Sequence, residues 1–412
     1  MNRTRPSHKF EEKADKVSGT RSRTPGAPGK KSRPSHWLIH QRNSWYMLLI
    51  MLLGVVIIFA LSRAGGAQVE QTKVTQPGRS STAVTGVPER ASTISASVRT
   101  AQVRMYSLSP SNAGVMLPAV DGQGNVWFGE MATNHLARLQ PGSGAVTTWT
   151  PPNGESGIMG TAIDSRGNVW FTEQYANYIG RFDPIRRAFQ TFSFGTRHDQ
   201  RVGLQDLQFD ATGKLWFTEL MARRIGRLDP SKGTIQTWQV PTLSKDNPPY
   251  PFGLSLMHDG QVWFGTFTGG VVGHLDPIEN RFTFHHLMNP HEQIYSMAAD
   301  ARDRIWFTEL QFGKLGMIDT TTGEVSELNV PGTFGGPEDL HGIVTTPDGA
   351  IWFTSSGANA LVRYSPSIAN YTFFQLPLAG SDPFGLALDA TGKLWFTAGG
   401  GQQADYIGEM NH

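Results

Sequence analysis

Lys214-Leu215-Trp216-Phe217-Thr218-Glu219 decides the fold, because the same phrase returns, lightly altered, along most of the chain. Tryptophan followed by phenylalanine occurs at Trp127, Trp170, Trp216, Trp263, Trp306, Trp352 and Trp395, at intervals of 43, 46, 47, 43, 46 and 43 residues. A period of that size with strand-like patterning belongs to an array of small sheets. Around Trp216 the unit reads as four short strands: Asp206 to Asp210, Leu215 to Glu219, Arg224 to Asp229 and Thr234 to Val240. Each is rich in β-branched or aromatic residues and bounded by Gly, Pro, Asp or Asn. The first turn is itself repeated, as Asp164-Ser165-Arg166-Gly167-Asn168, Asp210-Ala211-Thr212-Gly213-Lys214 and Asp389-Ala390-Thr391-Gly392-Lys393. There Gly supplies a positive φ and the Asp side chain caps the turn, so these glycines are structural and do not cradle phosphate.

A lone four-stranded sheet cannot bury both faces. Seven of them packed around an axis, with Trp and Phe filling the gaps, make an all-β, seven-bladed β-propeller. An open solenoid would need capping repeats at its ends, and none is visible. The final repeat stops after its third strand, at Tyr406-Ile407-Gly408, while Val103 to Ser109 precedes the first repeat and has no blade of its own. Together they complete one blade, an N-terminal strand closing the ring and removing its open edges.

Outward from the repeats, the 412-residue chain has a near-neutral balance of 36 basic and 34 acidic residues that is unevenly spread. Residues 1–43 hold 11 Lys and Arg against 3 Asp and Glu, a net of +8, and are rich in Ser, Pro and Gly. They read as a disordered basic tail. Residues 44–62 carry no charge and, as a helix, would span about 28 Å, close to a bilayer core. Trp37, Trp45 and Tyr46 stand at the expected interface, and the basic excess before them places the N-terminus in the cytoplasm and the rest outside. The polar leader is too long for a cleaved signal peptide, so an uncleaved single-pass anchor is expected. Residues 63–101 read as a flexible linker and 102–412 as the propeller. With no cysteine, disulfides, thiolate metal sites and a lipidated Cys anchor are excluded. The expected state is a membrane-anchored monomer whose funnel takes a small molecule or peptide and not nucleic acid.

Strand alternation puts the start of each first strand and the end of each second strand on one rim, with short repetitive turns on the other. The turn rim is expected to offer little chemistry. On the irregular rim, three residues after each Trp, stand Glu130, Glu173, Glu219, Thr266, Glu309, Ser355 and Ala398. Eleven residues before each Trp stand Met116, Met159, Gln205, Phe252, Tyr295, His341 and Phe384. The longer loops add His198, Asp199, His291, Glu292, Glu338 and Asp339. Spacing suggests blade-stabilising pairs of Glu130 with Arg138, Glu173 with Arg181 and Glu219 with Arg227. Glu309, with Met317 at the matching position, lacks such an arginine. An unpaired carboxylate beside the blade that presents His341 is a candidate cation ligand or catalytic group. One imidazole among hard oxygen donors suits Mg²⁺, Ca²⁺ or Mn²⁺ better than zinc. The aromatic ring residues are either an apolar plug or a wall that receives an apolar ligand.

The Trp-Phe-Thr-Glu phrase, Asn177-Tyr178-Ile179-Gly180-Arg181 and the Pro-x-Gly entry to the first strands together resemble the virginiamycin B lyase family, over about residues 102–412. The resemblance implies a Mg²⁺-dependent lyase that opens streptogramin B-type cyclic depsipeptides at their ester bond by elimination. It implies a histidine base, His341, within Pro337-Glu338-Asp339-Leu340-His341-Gly342, set against the family's Glu-Pro-His-Gly, and a metal held partly by glutamate, here Glu338 and Glu309. A further family Glu falls at Ser355 or Ser356, and a second His falls at Tyr295, with His291 nearby. Tyr295, His291, Phe252 and Phe384 would line the substrate site. A non-catalytic extracytoplasmic binding propeller is the alternative. A sugar-lactone or quinone-dependent propeller ranks last, because its metal cage needs more axial carboxylate and Asn ligands than this chain supplies.

Overall fold

The computed structural model describes residues 95–154, 156–194, 201–332, 339–399 and 405–411. The basic tail, the 44–62 segment, the linker up to residue 94, and His198, Asp199 and Glu338 lie outside the described residues. Among the described residues there are only strands, with no helix long and apolar enough to cross a membrane.

Among the described residues are seven sheets, each built on four antiparallel strands, and each Trp-Phe pair sits in the second of those four strands of its own sheet. We number them blades 1 to 7, from Trp127 to Trp395. In blade 3 the strands Leu204–Phe209, Leu215–Glu219, Arg224–Asp229 and Thr234–Gln239 pair in that order. Trp216 packs forward against Leu254 and Phe264 of blade 4, and Phe217 backward with Trp170 of blade 2. Each such fully buried aromatic contributes about 2–3 kcal/mol. Phe217 fits because the residue opposite it is Gly226, where a Cβ would lie 2.1 Å from the ring.

The turn aspartates do more than cap. Asp210 accepts from the Thr212 and Lys214 amides at 2.8 and 3.0 Å, while its second oxygen accepts the Trp216 indole N–H at 2.8 Å. The same indole bond recurs from Trp127, Trp170, Trp306 and Trp395, at 2.8 to 3.0 Å. One carboxylate thus ties the turn to the core and leaves no buried indole donor unanswered at these positions.

Closure is as expected: Val103–Ser107 pairs antiparallel with Tyr406–Met410, completing blade 7. The linker expectation needs correction at its end. Ser95–Thr100 is a parallel fifth strand on Asn370–Gln375, the outer strand of blade 6. That strand offered an open row of amides and carbonyls, and Ser95 and Ser97 add hydroxyl bonds to Asn370 and Thr372 at 2.6 and 3.2 Å.

Candidate functional site

In six of the blades the ladder between first and second strands slips by a bulge, and the bulge falls on the ring residue. In blade 6 it lies between Leu340 and Ile343 and therefore at His341-Gly342. A bulge re-aims a side chain that a regular strand would point between blades. The threonine of the repeated phrase secures it. Thr354 accepts the Gly342 amide at 3.0 Å, and Thr308 of blade 5 donates to the His341 carbonyl at 2.7 Å. Thr172, Thr218 and Thr354 reach Gln205, Phe252 and Phe384 of their next blades in the same way.

These ring residues meet at the axis. Tyr295 lies edge-on to His341 at 5.1 Å between ring centroids, Phe384 is 4.8 Å from His341 and 5.3 Å from Tyr295, and Phe252 is 4.7 Å from Tyr295. Met159, Phe252 and Tyr295 are buried in one apolar cluster, with Met116 and Phe384 packed against it. The residues that could have been plug or wall thus form a packed floor, with half-buried His341 and Phe384 in it.

Burial drives the His341 pKa down to about 4, opposed by the nearby Asp382 carboxylate. Its Nδ1 is buried and takes no hydrogen bond, so the neutral ring keeps an unused nitrogen. Burial, then the Asp382 charge, raises the Asp339 pKa. Asp339 and Asp382 each stand two residues before a ring residue, at φ of 35° and 49°, where blades 1 to 3 carry Gly114, Gly157 and Gly203. The backbone confirms the equivalence: Ser356 N–H donates to Asp339 as Leu220 N–H does to Gly203, at 3.2 and 2.8 Å. A left-handed aspartate costs about 1 kcal/mol relative to glycine. Asp339 thus stands where those blades carry glycine, and Glu338 lies outside the described residues.

Glu309 is not part of this cluster. Thr308 faces blade 6 through its bond to His341, and side chains alternate along a strand, so Glu309 turns the other way. Neither of its carboxyl oxygens accepts a hydrogen bond. Burial first, then Glu327 and Glu292, pushes its pKa up to about 9, and as a neutral acid it has a proton to share with Glu327. Lys314, opposite Glu309 in the ladder, bonds Glu327 at 2.9 Å instead.

The expected Glu–Arg pairs also differ. Glu219 is bonded by Arg224 at 2.7 Å, Glu130 lies 3.1 Å from His135, and Glu173 accepts from Asn153 at 3.0 and 3.1 Å. Arg138, Arg181 and Arg227 instead lie over Trp127, Trp170 and Trp216 at 5.5, 5.8 and 5.2 Å. Ser355 is buried at the end of its strand, and His291 is exposed in its loop, with its amide bonded to Asn289.

Two acids at the ring were missed. Asp206 follows Gln205 in blade 3, accepts the Leu207 and Leu254 amides at 2.8 and 3.0 Å, and is pushed up to about 6 by burial. Its charge acts on Tyr295. Asp382 was legible from its spacing, since it precedes Phe384 as Asp339 precedes His341. Among the described residues no three His, Asp or Glu side chains form a metal cluster. The described donors therefore do not by themselves fit Mg²⁺.

Comparison with known proteins bears on this geometry. The model of the virginiamycin B lyase family matches residues 68–342 and 244–412. A virginiamycin B lyase of Nocardia farcinica is 30% identical over 118 residues, which are 28% of this chain and 38% of that protein. A streptogramin B lyase structure is 26% identical with a TM-score of 0.66, covering 75% of this chain and 97% of its own. A catalytically inactive histidine-to-alanine variant of the Staphylococcus aureus virginiamycin B lyase, with quinupristin, is 24% identical. Its TM-score is 0.67, with 76% of this chain and 99% of that one covered.

Proposed function

The chain belongs to the virginiamycin B lyase family, and from that premise we propose that it is a lyase acting at the propeller mouth. It would open an ester in a cyclic depsipeptide by elimination, with His341 as general base. The observation that carries this reading is the half-buried, neutral imidazole set in an apolar floor by the Trp-Phe-Thr repeat.

In the reaction, the imidazole takes the proton on the carbon next to a carbonyl. The electron pair forms a carbon–carbon double bond, and the adjacent carbon–oxygen bond of the ester breaks. The leaving carboxylate keeps that bond's electrons, and the imidazolium then gives its proton to solvent. Asp382 favours the charged ring at that moment, offsetting the burial that disfavours it. Tyr295, Phe252 and Phe384 would hold the apolar part of the ligand. Titration with Mg²⁺ reads whether Glu338 completes, with Asp339 and Asp382, a donor set that the described residues leave short.

The test is product mass from a cyclic depsipeptide of the streptogramin B type. Elimination opens the ring at unchanged mass, hydrolysis adds one water, and neither product forms if the propeller only binds. Failure of a folded chain to open the ring at any Mg²⁺ concentration would sink the enzyme reading in favour of a binding module. Anchoring through residues 44–62, with the propeller outside the cell, belongs to the same proposal. Protease accessibility of the propeller on intact cells tests it.

A further inference from the structure

The turn rim, expected to be chemically bare, carries a basic cavity of about 450 Å³ between blades 1 and 2. Four arginines line it, Arg138, Arg166, Arg181 and Arg186, against two carboxylates, Asp121 and Asp183. Both acids are already committed. Asp121 accepts from the Gln123 and Asn125 amides, the Asn125 side chain and the Trp127 indole. Asp183 accepts from the Ile185 and Arg186 amides and pairs with the Arg186 guanidinium at 2.8 Å. Among the described residues the other three arginines have no carboxylate partner. Arg138 makes one side-chain bond, to Gln140 at 3.4 Å, and Arg181 makes one, to Gln190 at 3.2 Å. The Nε of each is buried without an acceptor.

At this rim blade 3 repeats the stacked arginine, Arg227 over Trp216 and Trp238 at 5.2 and 5.4 Å with a bond to Gln236 at 2.8 Å, but other cations there are answered by carboxylates. Lys214 pairs with Asp229 at 2.6 Å, Arg363 with Asp348 at 2.7 Å and Lys393 with Glu409 at 2.5 Å. In blades 1 and 2 the guanidinium groups lie over tryptophans: Arg138 over Trp127 and Trp149 at 5.5 and 5.4 Å, and Arg181 over Trp170 at 5.8 Å. Stacking occupies their faces and leaves N–H edges to donate. A rigid guanidinium with free edges is the group that recognises planar or tetrahedral oxyanions by paired hydrogen bonds.

We propose that this cavity binds a small, multiply charged oxyanionic ligand bearing phosphate or carboxylate groups, held by Arg138 and Arg181 with Arg166 at the entrance. The site is independent of the mouth and of any reaction there.

The full chain is titrated calorimetrically at low ionic strength with pyrophosphate and, separately, with citrate. Saturable binding of either, weakening as sodium chloride rises, is expected, and the preferred anion distinguishes phosphate from carboxylate recognition. Arg138→Gln/Arg181→Gln should weaken binding about tenfold or more. Exposed Arg166→Gln, which removes no core contact, should weaken it by about threefold. His341→Ala should leave it unchanged. Binding of neither anion overturns the proposal, as does a folded double variant that binds like the parent. If the double variant does not fold, Arg166→Gln decides, and unaltered affinity there overturns the proposal.

Discussion

Blades 3 and 5 carry the same four letters, Trp-Phe-Thr-Glu, and put them to different ends. In blade 3, Glu219 is buried and bonded by Arg224, and Thr218 holds the carbonyl of Phe252. In blade 5, Glu309 is equally buried, its cross-strand cation Lys314 is taken by Glu327, and Thr308 holds the carbonyl of His341. The motif fixes where the side chains go. Residues outside it decide whether the acid is an ion pair or a neutral acid, and whether the threonine carries a floor residue or the base.

The largest expected difference lies downstream of the two threonines. His341→Ala, the residue Thr308 secures, should lower turnover of a depsipeptide by about 10²- to 10⁴-fold in a folded protein. Phe252→Ala, the residue Thr218 secures, should act mainly on KM. Steady-state kinetics on both separates the roles, and unchanged kcat in His341→Ala would remove the base.

The two glutamates should respond to different degrees: burial raises both pKa values, but at Glu219 the Arg224 guanidinium opposes the rise, so Glu219→Gln, which also leaves Arg224 without its ion, should gain less than Glu309→Gln. Glu309→Gln should stabilise at neutral pH by on the order of 2 kcal/mol, because it removes an ionisation the fold opposes. Unfolded, Glu309 ionises near 4.5, whereas folded it keeps its proton up to about 9. Its contribution is therefore complete below pH 4.5 and is lost as pH climbs toward 9. Denaturant melts across that window should show a slope in the parent that is shallower in Glu309→Gln. Equal slopes would contradict the neutral-acid reading.

Thr308→Val should cut kcat by about threefold to tenfold, whereas Thr218→Val leaves it within a factor of two, though each loses a hydrogen bond of about 1 kcal/mol. The smallest effect expected is in the acid limb of the rate profile. Activity should fall as pH drops through about 4, where His341 protonates, and Asp382→Asn should move that limb lower because the aspartate favours the charged ring. A limb that rises in Asp382→Asn would reverse the assigned electrostatics.

The repeat, the closing strand and the ring positions were legible in the sequence because each depends on spacing alone. Side-chain pairing was not, since it follows the mirror register of an antiparallel hairpin. Arg227 stands opposite Trp216, so Glu219 must stand opposite Arg224. Counting each residue from the Trp instead placed Glu219 with Arg227. The same parity turns Glu309 away from His341, a relation hidden when both are assigned only to a rim. Asp339 was obscured by reading a family motif with an insertion, although its distance from His341 matches that of Asp382 from Phe384. The arginine-lined cavity depends on three turns from two adjacent blades, which no single repeat displays.

The parallel strand Ser95–Thr100 gives the molecule a mechanical property. Any pull arriving from the N-terminal side meets six rungs against Asn370–Gln375 before it reaches Val103 and the seam that closes the ring. Drawn along its own axis, that strand loads its rungs together in shear, so the seam is shielded from tension that would otherwise peel it open.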